Sequence, residues 1–436
     1  MTTMDKSRPW LPELVAQLRP LVAQRLDTGG DRRQGVEQAI GQVLRAYASQ
    51  ALAAGRPPLE VATEAQLARA LRAEFLGAGP LQALLDDDTV ETININGPGN
   101  VWVHRSDGSR TQVGPVAASD EELLALLRDL AARAGTQERR FSADTPELSL
   151  QLLDRGPDGE PHGGARLHAI MDITDTVAVS IRRHRLLRVS LDDLVRMGTL
   201  TPGLRDVLAA MVRARRNLVV SGGPAAGKTT LLRALAAQIP PQVRLIVVED
   251  TSELALHRED HPNLVTMQAR LANSEGIGEF TLDDCVRASL RLCPDRVIVG
   301  EVRGAEVTTM AKAMSIGTPG SLATVHAESS RQAFLRLVTY AMEPPASYSH
   351  GAAVALIAGA VHAVVHLDQA PDGTRVVSSL REVVGEDGGQ IVSNEVYRPG
   401  PDRRAVPAGR FSDHTMALLT AHGFDPAALD ERGGRR

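Results

Sequence analysis

One segment, Leu218-Val-Val-Ser-Gly-Gly-Pro-Ala-Ala-Gly-Lys-Thr-Thr230, constrains this chain more than any other. A short apolar run leads into G-x-x-x-x-G-K-T, carried by Gly222, Gly227, Lys228 and Thr229, and a helical pattern over Leu231–Ala237 follows. In that context, backbone N–H groups and a helix N-terminus converge on one anion site. Residues Gly222, Gly223, Pro224, Ala225, Ala226, Gly227, Lys228, Thr229 and Thr230 are therefore expected to cradle the phosphates of ATP. Lys228 would bring a point charge to the β- and γ-phosphates, and the Thr229 hydroxyl would ligate Mg2+. Lys6, Lys228 and Lys312 are the only lysines among 48 lysines and arginines, so a lysine at this position is not a compositional accident. Pro224 and Ala225 stand where such loops often carry a glycine, so this loop must form with less backbone freedom.

A strand-to-helix turn needs a sheet around it. Strand candidates at Asn217–Val220, Arg244–Val248, Val297–Val299 and Ser321–Val325 alternate with helical stretches, which argues for an α/β domain with a parallel sheet. Such sheets carry their chemistry at the carboxyl ends of the strands. Glu249 and Asp250 follow the second candidate, Glu301 the third, and His326 the fourth. Hydrolysis of a bound nucleotide requires a carboxylate to orient water and an acid to hold Mg2+ through water, and Glu249 and Glu301 are candidates. His326 reads as a γ-phosphate sensor or as a structural strand-end histidine. Arg166, Arg182, Arg183 and Arg303 could bring positive charge to phosphates, and the sequence selects none of them.

The remaining pattern divides the chain. Residues 1–75 read as a helical N-terminal region. Residues 76–182 read as a smaller α+β domain, with a hairpin at Thr92–Asn96 and Val101–His104, a helix capped by Asp120, and strands at Leu148–Leu153 and Arg166–Ile170 around the loop Gly156–Gly164. Residues 183–190 form a basic linker, 191–400 the P-loop domain, and 401–436 a loosely held tail. A net charge of −5 excludes a wholly basic nucleic-acid surface, though a local basic groove is compatible with it. Cys285 and Cys293, the only cysteines, cannot build a disulfide framework or a four-thiolate zinc site and read as buried hydrophobes of a reducing compartment. The chain starts without an apolar signal core. Its most apolar stretch, Gly351–Val361, is too short to span a bilayer, so a cytoplasmic protein is expected.

Taken together, these motifs resemble the secretion ATPases of the type II/type IV superfamily, most closely the CpaF-like branch that assembles tight-adherence pili. Gly77-Ala-Gly-Pro-Leu-Gln, Glu91-Thr-Ile-Asn-Ile-Asn-Gly-Pro and Ser180-Ile-Arg-Arg-His-Arg185 resemble segments of the family's first domain and interdomain junction. Val248–Leu254 resembles its Asp box, Arg291–Gly304 its Walker B region and Gly320–Ala327 its His box. The resemblance implies a RecA-like motor domain behind the N-terminal domain, and a homohexameric ring at the cytoplasmic face of the cell membrane. That ring would work on a membrane platform protein and power pilus assembly or protein secretion. Glu301 would be the Walker B acid, Glu249 and Asp250 the Asp box, and Arg166 and Arg182 arginines reaching the nucleotide or its neighbour. The superfamily also contains DNA-transfer ATPases, so conjugation is a second reading, and a nucleotide-binding switch with little turnover a third. The four-cysteine zinc module of the type II branch is absent.

Overall fold

The protein is seen in a computed structural model that describes residues 10–26, 32–55, 57–133, 141–155, 161–183, 188–270, 272 and 276–429. The chain divides into two compact units, the first comprising residues 1–152 and 165–183 and the second 153–164 and 184–436. The basic run at residues 184–187 and the loop at 156–160 lie outside the described residues.

The first unit opens with three helices: α1 (Trp10–Ala23), α2 (Arg32–Ala53) and α3 (Val61–Leu76). Their apolar stripes meet in a core that includes Leu18, Val22, Ile40, Val43, Leu67 and Leu71. After the short α4 (Gln82–Leu85) come β1 (Val90–Asn96), β2 (Val101–Arg105), β3 (Arg110–Val113), α5 (Asp120–Arg133), β4 (Glu147–Arg155), β5 (Pro161–Ile170) and β6 (Ala178–Arg183). The six strands form one sheet in the order β3-β2-β1-β6-β5-β4. Ile93, Ile95, Leu167, Val179 and Ile181 alternate onto its buried face beside Leu123 and Leu127 of α5. The expected hairpin is β1–β2, paired antiparallel. The helix cap differs from expectation: the Ser119 hydroxyl, not the Asp120 side chain, accepts the N–H of Glu122, and the Asp120 carboxylate instead accepts the Thr176 hydroxyl.

The second unit contains α6 (Leu191–Arg196), α7 (Pro202–Arg213), β7 (Leu218–Gly222), α8 (Lys228–Ala236), β8 (Leu245–Glu249), β9 (Leu264–Gln268), α9 (Leu282–Ser289), β10 (Arg296–Val302), α10 (Glu306–Ile316), β11 (Leu322–His326), α11 (Ser330–Met342), α12 (His350–Ala360), β12 (Ala363–Gln369), β13 (Arg375–Asp387), β14 (Gln390–Pro399), β15 (Ala405–Pro407) and α13 (Asp413–Ala421). Nine strands run in the order β15-β14-β13-β12-β7-β11-β10-β8-β9. The six from β12 to β9 pair in parallel. Both faces of this part are covered. Leu218, Val220, Leu245, Val247, Ile298 and Leu322 pack on one side with α7 and α8. Val219, Ile246, Val248, Val299, Ala323 and Val325 pack on the other with α10 to α12. Burial on two sides explains why these strands read as continuous apolar runs.

Three features depart from the sequence reading. Strands β13 and β14 extend the sheet antiparallel from β12, an extension not expected from the sequence. The segment after Gly400, expected to be loosely held, adds β15 to that edge and lays α13 against α7, burying Phe411, Leu419 and Phe424 in the core. Its three anchors are too widely spaced among Gly, Pro, Asp and Arg to show a periodicity. Cys285 is buried, but Cys293 is exposed in a left-handed turn before β10. Among the described residues no helix is long and apolar enough to cross a membrane.

Candidate functional site

β7 is buried throughout and ends at Gly222, where a Cβ would lie 2.8 Å from the Leu367 carbonyl oxygen. Only glycine fits there. The loop then turns through Ala225 at φ 57° and Gly227 at φ 96° before α8 begins at Lys228. The missing glycine freedom therefore falls on Ala225 and not on Pro224: a residue with a Cβ holds a left-handed conformation that costs about 1–2 kcal/mol. Lys228 Nζ folds back to donate to the carbonyls of Gly223 (2.9 Å) and Gly222 (3.2 Å), and lies 3.1 Å from His326 Nδ1.

His326 reaches this point because β11 pairs with β7 in a register that sets it opposite Gly222. Its Nε2 lies 3.1 Å from Oε1 of Glu301. Glu301 sits where the β10–β11 register shifts between Val299 and Val302, an irregularity of the kind that re-aims a side chain beside a site. The Thr324 hydroxyl pins it by donating to the Gly300 carbonyl at 2.6 Å. Lys228, His326 and Glu301 thus form one polar chain across the ends of three neighbouring strands.

Glu249 is placed differently. Expected among the acids around the nucleotide, it is only 3% exposed, and its Oε1 accepts the backbone N–H groups of Glu253 (2.9 Å) and Leu254 (2.8 Å). Burial, outweighing these hydrogen bonds, pushes its pKa up to about 7. Its neighbour Asp250 makes an ion pair with Arg303, one of the four arginines among which the sequence did not choose. Sequence reasoning missed Glu253. Its Oε2 lies 3.5 Å from the Thr229 hydroxyl, and the available signal was a third acid in the same strand-end segment. Thr229 and Glu253 offer oxygen donors only, a pair suited to a hard cation. Arg166 and Arg182 belong to the first unit, where they are direct partners across β5 and β6, with Thr92 opposite Arg182 on β1.

Residues 168–386 match the family of type II/IV secretion system proteins. The chain belongs to this family. A Mycobacterium tuberculosis protein assigned provisionally to conjugal transfer is 35% identical over 315 residues, covering 72% of this chain and 86% of its own. The type IV secretion system protein VirB11 of Brucella suis is 31% identical over 306 residues, 65% of this chain and 81% of its own. The solved structure of the Legionella pneumophila ATPase DotB covers 70% of this chain and 80% of its own, with a TM-score of 0.51 at 18% identity. That last likeness bears on fold alone, an N-terminal domain ahead of a RecA-like motor domain. The match to the secretion family spans the P-loop and the strand ends carrying Glu249, Glu301 and His326.

Proposed function

We propose that this secretion-family protein is a Mg-ATP hydrolysing motor. The observation that carries the reading is the Lys228–His326–Glu301 chain at the mouth of a P-loop, with Thr229 and Glu253 beside it. Residues 222–230 would bind the phosphates. Lys228 would exchange its contacts with the loop carbonyls for the β- and γ-phosphates, and His326, already touching Lys228, would register the γ-phosphate. Glu301 and Glu253 would supply carboxylates for the metal shell and the attacking water. Among the described residues no three His, Cys, Asp or Glu side chains could hold a metal ion alone. The cation would therefore share Thr229 with phosphate oxygens and water, as Mg2+ usually does.

Arg166 and Arg182 stand directly opposite each other across β5 and β6. They would contact phosphates, in the same protomer or the next. Arg303, paired with Asp250, would be drawn on in the same way. The working form would be a homohexamer at the cytoplasmic face of the membrane, acting on a membrane platform protein. Hydrolysis would move the two units about residues 183–190, which link them.

The test is steady-state phosphate release by the wild type, Lys228→Ala and Glu301→Gln. Loss of turnover in both variants is expected. Unchanged turnover in either overturns the reading, and tight ATP binding without phosphate release by the wild type would make the protein a switch. The cargo has two readings. Assembly of a pilus or secretion of a protein follows from the motif pattern. DNA transfer is favoured by the conjugal-transfer relative, and DNA-stimulated turnover that fades with salt would select it.

A further inference from the structure

Two charged side chains beside the P-loop are nearly inaccessible, Glu249 at the end of β8 and Arg233 on α8, 3% and 5% exposed. Both are directed at the same two residues. Glu249 accepts the N–H groups of Glu253 and Leu254, while Arg233 donates Nε to the Leu254 carbonyl at 2.7 Å and Nη2 to the Glu253 carbonyl. Every backbone polar group of this dipeptide is thereby held by a buried side chain, in a stretch with no helix or strand of its own. Two further contacts extend the arrangement. Gly300 leaves room for Glu249, since a Cβ there would lie 2.9 Å from Glu249 Cγ. Glu253, the residue being held, has its carboxylate 3.5 Å from Thr229.

We propose that Glu249 and Arg233 are positioning residues that grip the Glu253–Leu254 backbone from opposite sides and so fix the Glu253 carboxylate beside Thr229 for the hydrolytic step. Neither carboxylate nor guanidinium takes part in the chemistry. This rests on the motor reading above, and two independent readouts separate the claims. The chemical requirement on residue 249 is an acceptor oxygen of the right reach, which an amide supplies as well as a carboxylate.

The experiment compares full-length wild type, Glu249→Gln, Glu249→Ala and Glu253→Gln. ATP turnover is measured with Mg2+, nucleotide affinity with a fluorescent ATP analogue, and backbone exposure by hydrogen–deuterium exchange over residues 250–256. Glu249→Gln is expected to keep turnover within about 5-fold of wild type, and Glu249→Ala to lose about 100-fold in kcat with little change in KM. Exchange at the two amides should rise at least about tenfold in Glu249→Ala and stay near wild type in Glu249→Gln. Glu253→Gln should lose turnover without changing that exchange. Glu249→Gln as inactive as Glu253→Gln would make Glu249 a chemical group and overturn the proposal. So would unaltered exchange in Glu249→Ala, a readout that stands even if the wild type does not hydrolyse ATP. Wild type without turnover, or Lys228→Ala with full turnover, overturns the motor reading instead.

Discussion

Lys228 places its Nζ 3.1 Å from Nδ1 of His326, the residue that β11 sets directly opposite Gly222. The same Nζ lies 3.4 Å from Nε2 of that ring, and Nε2 in turn lies 3.1 Å from Oε1 of Glu301. These contacts make His326 a link between Lys228 and Glu301. His326→Ala should reduce kcat by about 100-fold while leaving ATP affinity within a few-fold, because Lys228 keeps its loop contacts. Lys228→Ala should lose both. Phosphate release and fluorescent nucleotide titration separate the two, and an equal affinity loss in His326→Ala would assign the histidine to ground-state binding.

Ala225 gives the second prediction. At φ 57° it occupies the region that favours glycine, with its side chain exposed. Ala225→Gly should leave stability unchanged or raise it by up to about 1 kcal/mol, the strain relief being partly offset by the freer unfolded chain. Ala225→Val should lower it and weaken nucleotide binding, since β-branching fits this region worse. Urea midpoints at constant m-value, with the same nucleotide titration, decide.

How far these positions could be read from the sequence depends on how local their physics is. The P-loop, the strand ends at Glu249, Glu301 and His326 and the β1–β2 hairpin were legible because each is a local pattern of strand, turn and functional residue. Ala225 is unusual for such a loop in the sequence alone, but its left-handed backbone comes only with the loop's conformation. The strand end of Glu249 is legible, but its burial is not, because its side chain packs against Gly300, fifty-one residues away on β10. Glu253 lies in an irregular stretch with no periodicity to mark it. The antiparallel β13–β14 extension was hidden by the parallel pattern before it, and α13 by a composition typical of tails.

Gly300 itself supplies the third prediction. A Cβ at 2.9 Å from Glu249 Cγ cannot be accommodated without shifting a side chain that is already fixed by two hydrogen bonds. Gly300→Ala should destabilise the protein by about 1–3 kcal/mol. The clash needs both partners, so the double substitution Gly300→Ala with Glu249→Ala should be less harmful than the sum of the singles. Strict additivity in urea unfolding would show that the two residues do not meet.

Asn217 gives a fourth. Buried at the start of β7, it donates to the carbonyls of Met314 and Ala360 and accepts the N–H groups of Gly320 and Ser321. These four side-chain hydrogen bonds tie the residue before β7 to the last turns of α10 and α12 and to the turn that enters β11. Asn217→Ala leaves four buried groups without partners and should cost about 2–4 kcal/mol. The chemistry of the P-loop is left in place, so the loss should appear in unfolding midpoints before it appears in nucleotide affinity near room temperature.

The last prediction concerns pH. Burial raises the Glu249 carboxyl from its ordinary 4.5 to about 7, so between these values the folded protein binds a proton that the unfolded chain releases. Stability from this group is complete below about pH 4.5, falls as pH rises towards 7, and is flat above it, a swing on the order of 3 kcal/mol. The backbone grip survives the change, because a protonated carboxyl still offers an acceptor oxygen to the Glu253 and Leu254 amides. Glu249→Gln removes the titration and keeps that oxygen. The stability of wild type minus that of Glu249→Gln should therefore decline from about pH 5 to 7 and level off above, measured by urea unfolding at each pH. A difference that stays flat over this range would mean that the carboxylate is held charged in the fold, with the Arg233 guanidinium outweighing burial.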